Sequence, residues 1–282
     1  PYFQKTYPKR LSELDGAPYA LYVKGKLPDA SKLSVAVVGA RNCTPYGRDM
    51  ARMFSYRLAA AGVFVISGMA LGIDGWGHQG ALEAGGETYA VLGSGVMRCY
   101  PSCHQNLYES IVRHGGVISE FPVYARAKPV FFPMRNRIIS GLSDGILVVE
   151  AREKSGSLIT ADFALDQGKD VYALPGPVTS ALSQGCHRLI RQGAGILITP
   201  EELMDEWNLN RMQIGQKNNK NEKMLESPEY MVYSCVGLYP KSVGQLTEET
   251  KLRPEEVLKL LVSLELQGYI REISKNYYIK VK

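Results

Sequence analysis

The chain has 282 residues, 45 % hydrophobic and 22 % charged, with 28 glycines and a formal charge of +5, and a chain this long buries enough surface for one large core and a small second domain. Disordered and fibrous classes are excluded, and apolar runs such as Ile146 to Val149 fall far short of the roughly 18 residues that a bilayer span needs, so no membrane partner is expected. Five scattered cysteines, an odd number, do not form a disulfide framework and point to a reducing, cytoplasmic compartment; the chain starts at Pro1 and not at methionine, so further chain is expected upstream.

Residues 1–32 carry six Lys/Arg against three Asp/Glu and show no clear periodicity; they are expected to form an extension packing on the larger domain. From Leu33 onward, short β-branched runs alternate with amphipathic stretches, the pattern of a doubly wound α/β fold whose mostly parallel sheet is covered on both faces. The expected strands are Val35 to Gly39, Val63 to Ser67, Thr88 to Gly93, Val117 to Ser119, Ile146 to Glu150, Val171 to Pro175 and Ile196 to Thr199. Glycines stand at or just after several strand ends (Gly39, Gly68, Gly93, Gly176). Ligands of such sheets bind outside those ends, so the glycine excess marks a crevice.

The large domain is expected to span residues 33–207, a polar linker residues 208–221, and a small domain residues 222–282. In the last, helical patterns over Ser227 to Val236, Val243 to Thr250 and Pro254 to Leu266 precede two strands, Tyr269 to Ile273 and Tyr277 to Val281. Three helices and a hairpin are the winged-helix order. Its nine Lys/Arg balance nine Asp/Glu, so the basic surface belongs to the earlier part of the chain.

The first turn, Gly39-Ala40-Arg41-Asn42, lacks the spaced glycines of a dinucleotide site, and no Gly-Lys-Ser/Thr occurs, which disfavours NAD and nucleoside triphosphate chemistry; no cofactor is expected. Anion-friendly turns remain at Arg41, Ser67-Gly68, Gly93-Ser94-Gly95 and Ser155-Gly156-Ser157, where small residues at helix starts expose N–H groups. Between Arg113 and Arg137 lie Arg126, Lys128 and Arg135, opposed only by Glu120, with Phe131 and Phe132 among them. Guanidinium groups grip phosphates and aromatic rings stack on unpaired bases. Lys128 and Arg135 are expected to touch ligand; for Arg137 an internal ion pair weighs equally, and Phe131 and Phe132 are either stacking rings or core. Cys99, Cys103 and His104, with Cys186-His187, lack the paired spacing of a zinc site, and no metal is expected. Asp74 and His78, four apart, have no accompanying nucleophile.

Seven ordered segments then carry a resemblance: VVGARNCTPYG (37–47), SGMALGIDGWGHQGAL (67–82), AVLGSGVMRCYP (90–101), SEFP (119–122), FPMRNRIISGLSDGILVVEA (132–151), SGSLITADFALDQGKDVYALPG (155–176) and SQGCHRLI (183–190). In order and approximate spacing these resemble the DNA-processing protein A family (DprA, also called Smf). The resemblance implies a Rossmann-like domain that binds single-stranded DNA without covalent chemistry, dimerises, protects the strand and loads RecA recombinase onto it during natural transformation. Carried over, Arg41 clamps a phosphate, Ser67, Gly68, Ser155, Gly156, Ser157 and Thr160 offer donors, Phe131 or Phe132 stacks a base, and Gly72, Lys128, Arg135, Asn136 and Arg137 complete the expected site. His187, Ile190 and Ile196 are the candidate dimer face. The chain departs from the family at Leu71, where a basic residue is usual, at Trp76, usually small, near Met97, usually acidic, and at Met134, often arginine. Two other readings remain at this stage: a phosphoribohydrolase of nucleoside monophosphates, for which the catalytic glutamate of the glycine-rich block is missing at Lys154 to Ala161, and a winged-helix transcription regulator.

Overall fold

The computed structural model describes residues 1–4, 6–209, 228–237 and 240–280, which fall into two units, Pro1–Met212 and Gln213–Lys282. In the first, helices α1 (Lys9–Ser12), α2 (Pro45–Ala60), α3 (Ile73–Glu83), α4 (Gln105–His114), α5 (Phe131–Leu142), α6 (Gly156–Asp166), α7 (Gln184–Arg191) and α8 (Pro200–Glu206) surround one sheet. Its strands are β1 (Tyr22–Gly25), β2 (Ser34–Val38), β3 (Phe64–Ser67), β4 (Thr88–Val91), β5 (Gly116–Ser119), β6 (Gly145–Val148), β7 (Asp170–Ala173) and β8 (Gly195–Ile196), ordered β1-β5-β4-β3-β2-β6-β7-β8. Only β1 runs antiparallel to its neighbour, pairing Tyr22 with Ser119.

Because side chains alternate across a strand, β2 sends Val35 and Val37 to one face and Ala36 and Val38 to the other. The first face packs on α2, α3 and α8 through Ala51, Phe54, Leu58, Ile73, Ala81 and Leu203. The second packs on α5, α6 and α7 through Ile138, Ile139, Leu142, Leu158, Ala161 and Leu189. This is the expected doubly wound arrangement. Strand order reverses at β2, which pairs with β3 on one side and β6 on the other, and the loops leaving β2 and β6 part there and open a crevice.

Most expected strands are present but end early: the first stops at Val38 and not Gly39, the third at Val91 and not Gly93, the fifth at Val148 and not Glu150, and the last at Ile196 and not Thr199. Of the residues beyond these ends, Gly39 lines the crevice and Gly93 lies against Phe132, while Thr199 caps α8. Residues 1–32 hold two elements that periodicity missed, α1 and β1. Leu11 is fully buried in the sheet core, and Arg10 pairs with Asp144 at 2.9 Å and donates to Ser34 Oγ and Leu142 O. A four-residue strand whose exposure alternates little has no period to read. Of the expected linker, residues 210–221 lie outside the described residues, while Leu209 packs against the core of the first unit.

The second unit contains α9 (Pro228–Cys235), β9 (Lys241–Ser242), α10 (Val243–Thr250), α11 (Pro254–Leu266), β10 (Ile270–Ser274) and β11 (Tyr277–Lys280). Val232, Leu246, Val257, Leu261, Leu264, Ile270 and Tyr278 form its core. The strand β9, unforeseen because it is two residues long, completes a three-stranded sheet in the order β10-β11-β9. This is a winged helix.

Candidate functional site

The crevice at the strand reversal encloses about 520 Å³ between the loop after β2, the start of α3, helix α5 and the start of α6. Helices α2 and α6 both start at this end of the sheet, and they differ in what occupies their N-termini. At α2, Thr44 caps the helix, with its hydroxyl accepting from Gly47 N. The Glu150 carboxylate, only 3 % exposed, accepts from Thr44 N at 2.8 Å and Thr44 Oγ1 at 2.6 Å. An internal anion thus holds the position where a dinucleotide fold puts its pyrophosphate. At α6 the cap is Ser155, whose hydroxyl meets Ser157 Oγ at 2.8 Å, and Lys154, Ser155, Gly156 and Ser157 all line the crevice. Ser155 Oγ also accepts from Ser157 N at 3.4 Å, but no carboxylate fills this start among the described residues, and with Lys154 beside it the end is left to an outside anion.

Helix α5 supplies the opposite wall. Phe132, Arg135, Asn136 and Ile139 line it, and Asn136 Nδ2 donates to Gly156 O at 3.2 Å, tying α5 to the α6 start. The exposed Arg41 guanidinium lies 5.3 Å from the Phe132 ring centre, and Tyr100 lies 5.5 Å from the same ring. Half exposed, Tyr100 offers the open aromatic surface of this wall. It stands where the chain leaves β4's loop, 30 residues or more from its neighbours in space, and nothing local in the sequence marks it.

The crevice therefore brings together Arg41, Phe132, Arg135, Asn136, Ser155, Gly156, Ser157 and Thr160. It does not collect the rest. Ser67 is fully buried with its hydroxyl donating to Val37 O at 2.6 Å, and Gly68 N donates to Asp74 Oδ2 at 3.1 Å, so this turn serves the interior and leaves no free donor. Gly72, at φ 74°, packs against the Ala40 and Arg41 carbonyls, a fit open only to glycine. Arg137 forms a two-pronged pair with Glu120, 2.7 Å to each oxygen, and donates to Gly16 O at 3.0 Å, which settles its two readings for the internal one. Phe131 stacks on Phe121 at 4.0 Å between centres, with the exposed Lys128 ammonium 5.6 Å from its ring, beside crevice residue Pro129.

Arg135 corrects the charge-cluster reading. It is 4 % exposed; one guanidinium nitrogen donates to Val91 O and the group packs against Gly68, where a side chain would leave no room. Burial pulls its pKa down to about 10, with Asp74 opposing. Burial likewise pushes the Asp74 carboxyl up, against the pull of Arg135 and of the Ala70 and Gly68 N–H groups. Arg135 is floor, and the cations open to a ligand in the crevice are Arg41 and Lys154.

The other candidates are engaged elsewhere. His104 Nδ1 donates to Met69 O at 3.1 Å, His187 Nε2 to Gly176 O at 3.0 Å, and no metal-holding group of His, Cys, Asp and Glu forms among the described residues. Of the carboxylates that a hydrolase reading needs, Glu150 is bound to Thr44 and Glu120 to Arg137.

The family described as DNA recombination-mediator protein A matches residues 1–208, and the DprA winged helix domain matches residues 216–274. The chain is 39 % identical over 279 residues to Protein Smf of Escherichia coli, covering 96 % of this chain and 74 % of that protein. It is 40 % identical over 201 residues to DNA processing protein DprA of Streptococcus pneumoniae, covering 71 % of each. The solved structure of the S. pneumoniae protein superposes with a TM-score of 0.67 at 37 % identity, over 72 % of this chain and 71 % of that one. DNA processing protein A from Helicobacter pylori, whose structure concerns its single-stranded DNA binding mode, superposes at 0.65 with 26 % identity, over 75 % and 95 %.

Proposed function

This chain belongs to the DNA recombination-mediator protein A family, and from that premise we propose that its crevice binds single-stranded DNA, protects it and presents it to RecA recombinase, without covalent chemistry. The observation that carries this reading is the pairing of a helix start that no internal carboxylate fills among the described residues, α6 with Lys154 and Ser155, with an aromatic wall of Phe132 and Tyr100 under Arg41. A phosphate at the start of α6, beside Lys154, places its base toward the aromatic wall, and unpaired bases alone can use such a ring. The family's role and the H. pylori relative support the same ligand. Engagement of Glu120 and Glu150 in internal bonds removes the carboxylates that a phosphoribohydrolase would need.

A second copy is proposed to dock along β8, where Ile196 is 51 % exposed and Ile198 69 %. Ile190 packs inward on the sheet core and His187 is tied to Gly176, so of the three residues proposed for this face Ile196 is the one left outward. The test of the main reading is fluorescence anisotropy with labelled oligonucleotides. Single strands are expected to bind more tightly than duplexes, with affinity falling as salt rises by a slope that reflects a few phosphate contacts. Equal affinity for both forms would sink the reading.

A further inference from the structure

We propose that Trp76, with Arg48 against its indole, is a second base-stacking site on the DNA strand that the crevice holds; this rests on the single-strand reading above. Trp76 sits in the first turn of α3, 38 % exposed and outside the hydrophobic clusters formed by the described residues. Asp74, two positions earlier, is buried beneath the crevice. At about 100° per residue the two side chains leave α3 on nearly opposite sides, so the indole faces outward for reasons unconnected with the core.

The packing of α2 on α3 brings Arg48 to it. Gly80 lies against the backbone of Arg52, with no room for a side chain between the helices. One turn toward the N-terminus on each helix stand Trp76 and Arg48, and the guanidinium is 5.8 Å from the indole centre. Both helices start at the crevice end of the sheet. Gly72, which opens α3, touches the carbonyls of Ala40 and Arg41, and Trp76 N bonds Gly72 O at 3.0 Å. Trp76 therefore lies one helical turn, about 5.4 Å of rise along α3, from Gly72, which packs on the loop that carries Arg41. A strand leaving the crevice past Arg41 reaches it within the roughly 4 to 16 nucleotides that single-strand sites span.

Charge at this spot is already compensated, Arg48 by Asp49 at 2.8 Å and Arg52 by Glu83 at 2.5 Å. The platform thus contacts a base through a ring face and a stacked guanidinium and adds little phosphate attraction. Its signature differs from that of a phosphate clamp.

The experiment uses the full chain carrying Trp207→Phe, which leaves Trp76 as the sole tryptophan of a chain that has two. Titration with a 15-mer oligothymidylate is followed by emission and by anisotropy together. Stacking is expected to quench the indole in step with binding. Separately, Trp76→Ala is expected to weaken the 15-mer about 5- to 150-fold, the range carried by one base stack, with the salt slope unchanged and a trinucleotide bound as before, while Trp76→Phe retains most of the affinity. Binding by anisotropy with no change in emission, or an unaltered 15-mer affinity in the folded Trp76→Ala variant, overturns the proposal. Absence of binding by any oligonucleotide overturns the reading it rests on, and the proposal with it.

Discussion

The guanidinium of Arg135 and that of Arg41 lie in the same crevice and do opposite work. Arg135, buried and bonded to Val91 O, joins α5 to the ends of β3 and β4; removing it opens a cavity, orphans a carbonyl and leaves the Asp74 carboxyl without its nearest cation. Arg135→Ala is expected to lower unfolding free energy by about 3 kcal/mol, measured in urea, a size typical of losing a buried polar bracket. Arg41→Glu, at an exposed residue, is expected to leave stability within about 0.5 kcal/mol while weakening every single-stranded sequence alike and reducing the salt slope by about 1. The basic run from Arg113 to Arg137 was legible in the sequence, yet its members part company in space. The signal for Arg135 was there as well: Arg135, Ile138, Ile139 and Leu142 follow the i, i+3, i+4, i+7 spacing of one buried stripe, and Arg137 falls off it. Charge alone drew attention to both.

At the scale of elements, which helix start stays open decides the ligand. The start of α2 is closed by Glu150, 106 residues away from Thr44 in sequence. No local pattern reveals a cap of that kind. Glu150→Ala is expected to cost about 2 kcal/mol in thermal or urea unfolding, since it takes the acceptor from both the part-buried amide and the hydroxyl of the capping Thr44. Glycines at strand ends suggest turns for anions. Gly68 and Gly93 instead let α5 approach, the one against Arg135 and the other against Phe132. Helix α3 is tied to β4 by His78, fully buried, whose Nδ1 lies 2.6 Å from Thr88 Oγ1. Because the Thr88 hydroxyl donates to Val65 O, it accepts from His78, and the ring is neutral with its proton on Nδ1. Burial, aided by His104 and Arg135, pulls its pKa down to about 3. The unfolded chain takes up this proton near pH 6.5, the folded protein only near 3, so the contribution to stability is whole above about 6.5 and lost as pH falls between the two. The slope is at most about 1.4 kcal/mol per pH unit, and urea unfolding between pH 7 and 4 is expected to show it. His78→Gln should flatten that dependence; an unchanged profile would assign it to other groups.

For the whole molecule, the β8 edge and the second unit set the remaining tests. Ile196→Asp with Ile198→Asp is expected to shift light scattering from a dimer mass to the 31.2 kDa of one chain, since a charge at an apolar interface is unpaired and desolvated; a dimer mass that survives would move the interface elsewhere. Deleting residues 222–282, whose charges cancel, is expected to leave single-strand affinity within about threefold, as uncompensated cations carry that attraction, while RecA loading measured beside it reports what the winged helix adds. The sequence by itself determined the doubly wound class and the winged helix, because alternation, helical period and short turn signals are local and repeat along the chain, and its seven ordered segments carried the resemblance to the family. Tertiary structure alone decided which cations face the crevice, which helix start an internal carboxylate closes, and that Tyr100 joins Phe132 and Arg41 in one wall. Those outcomes depend on side chains tens of residues apart competing for the same few ångströms of space, and that competition has no period for a sequence to display.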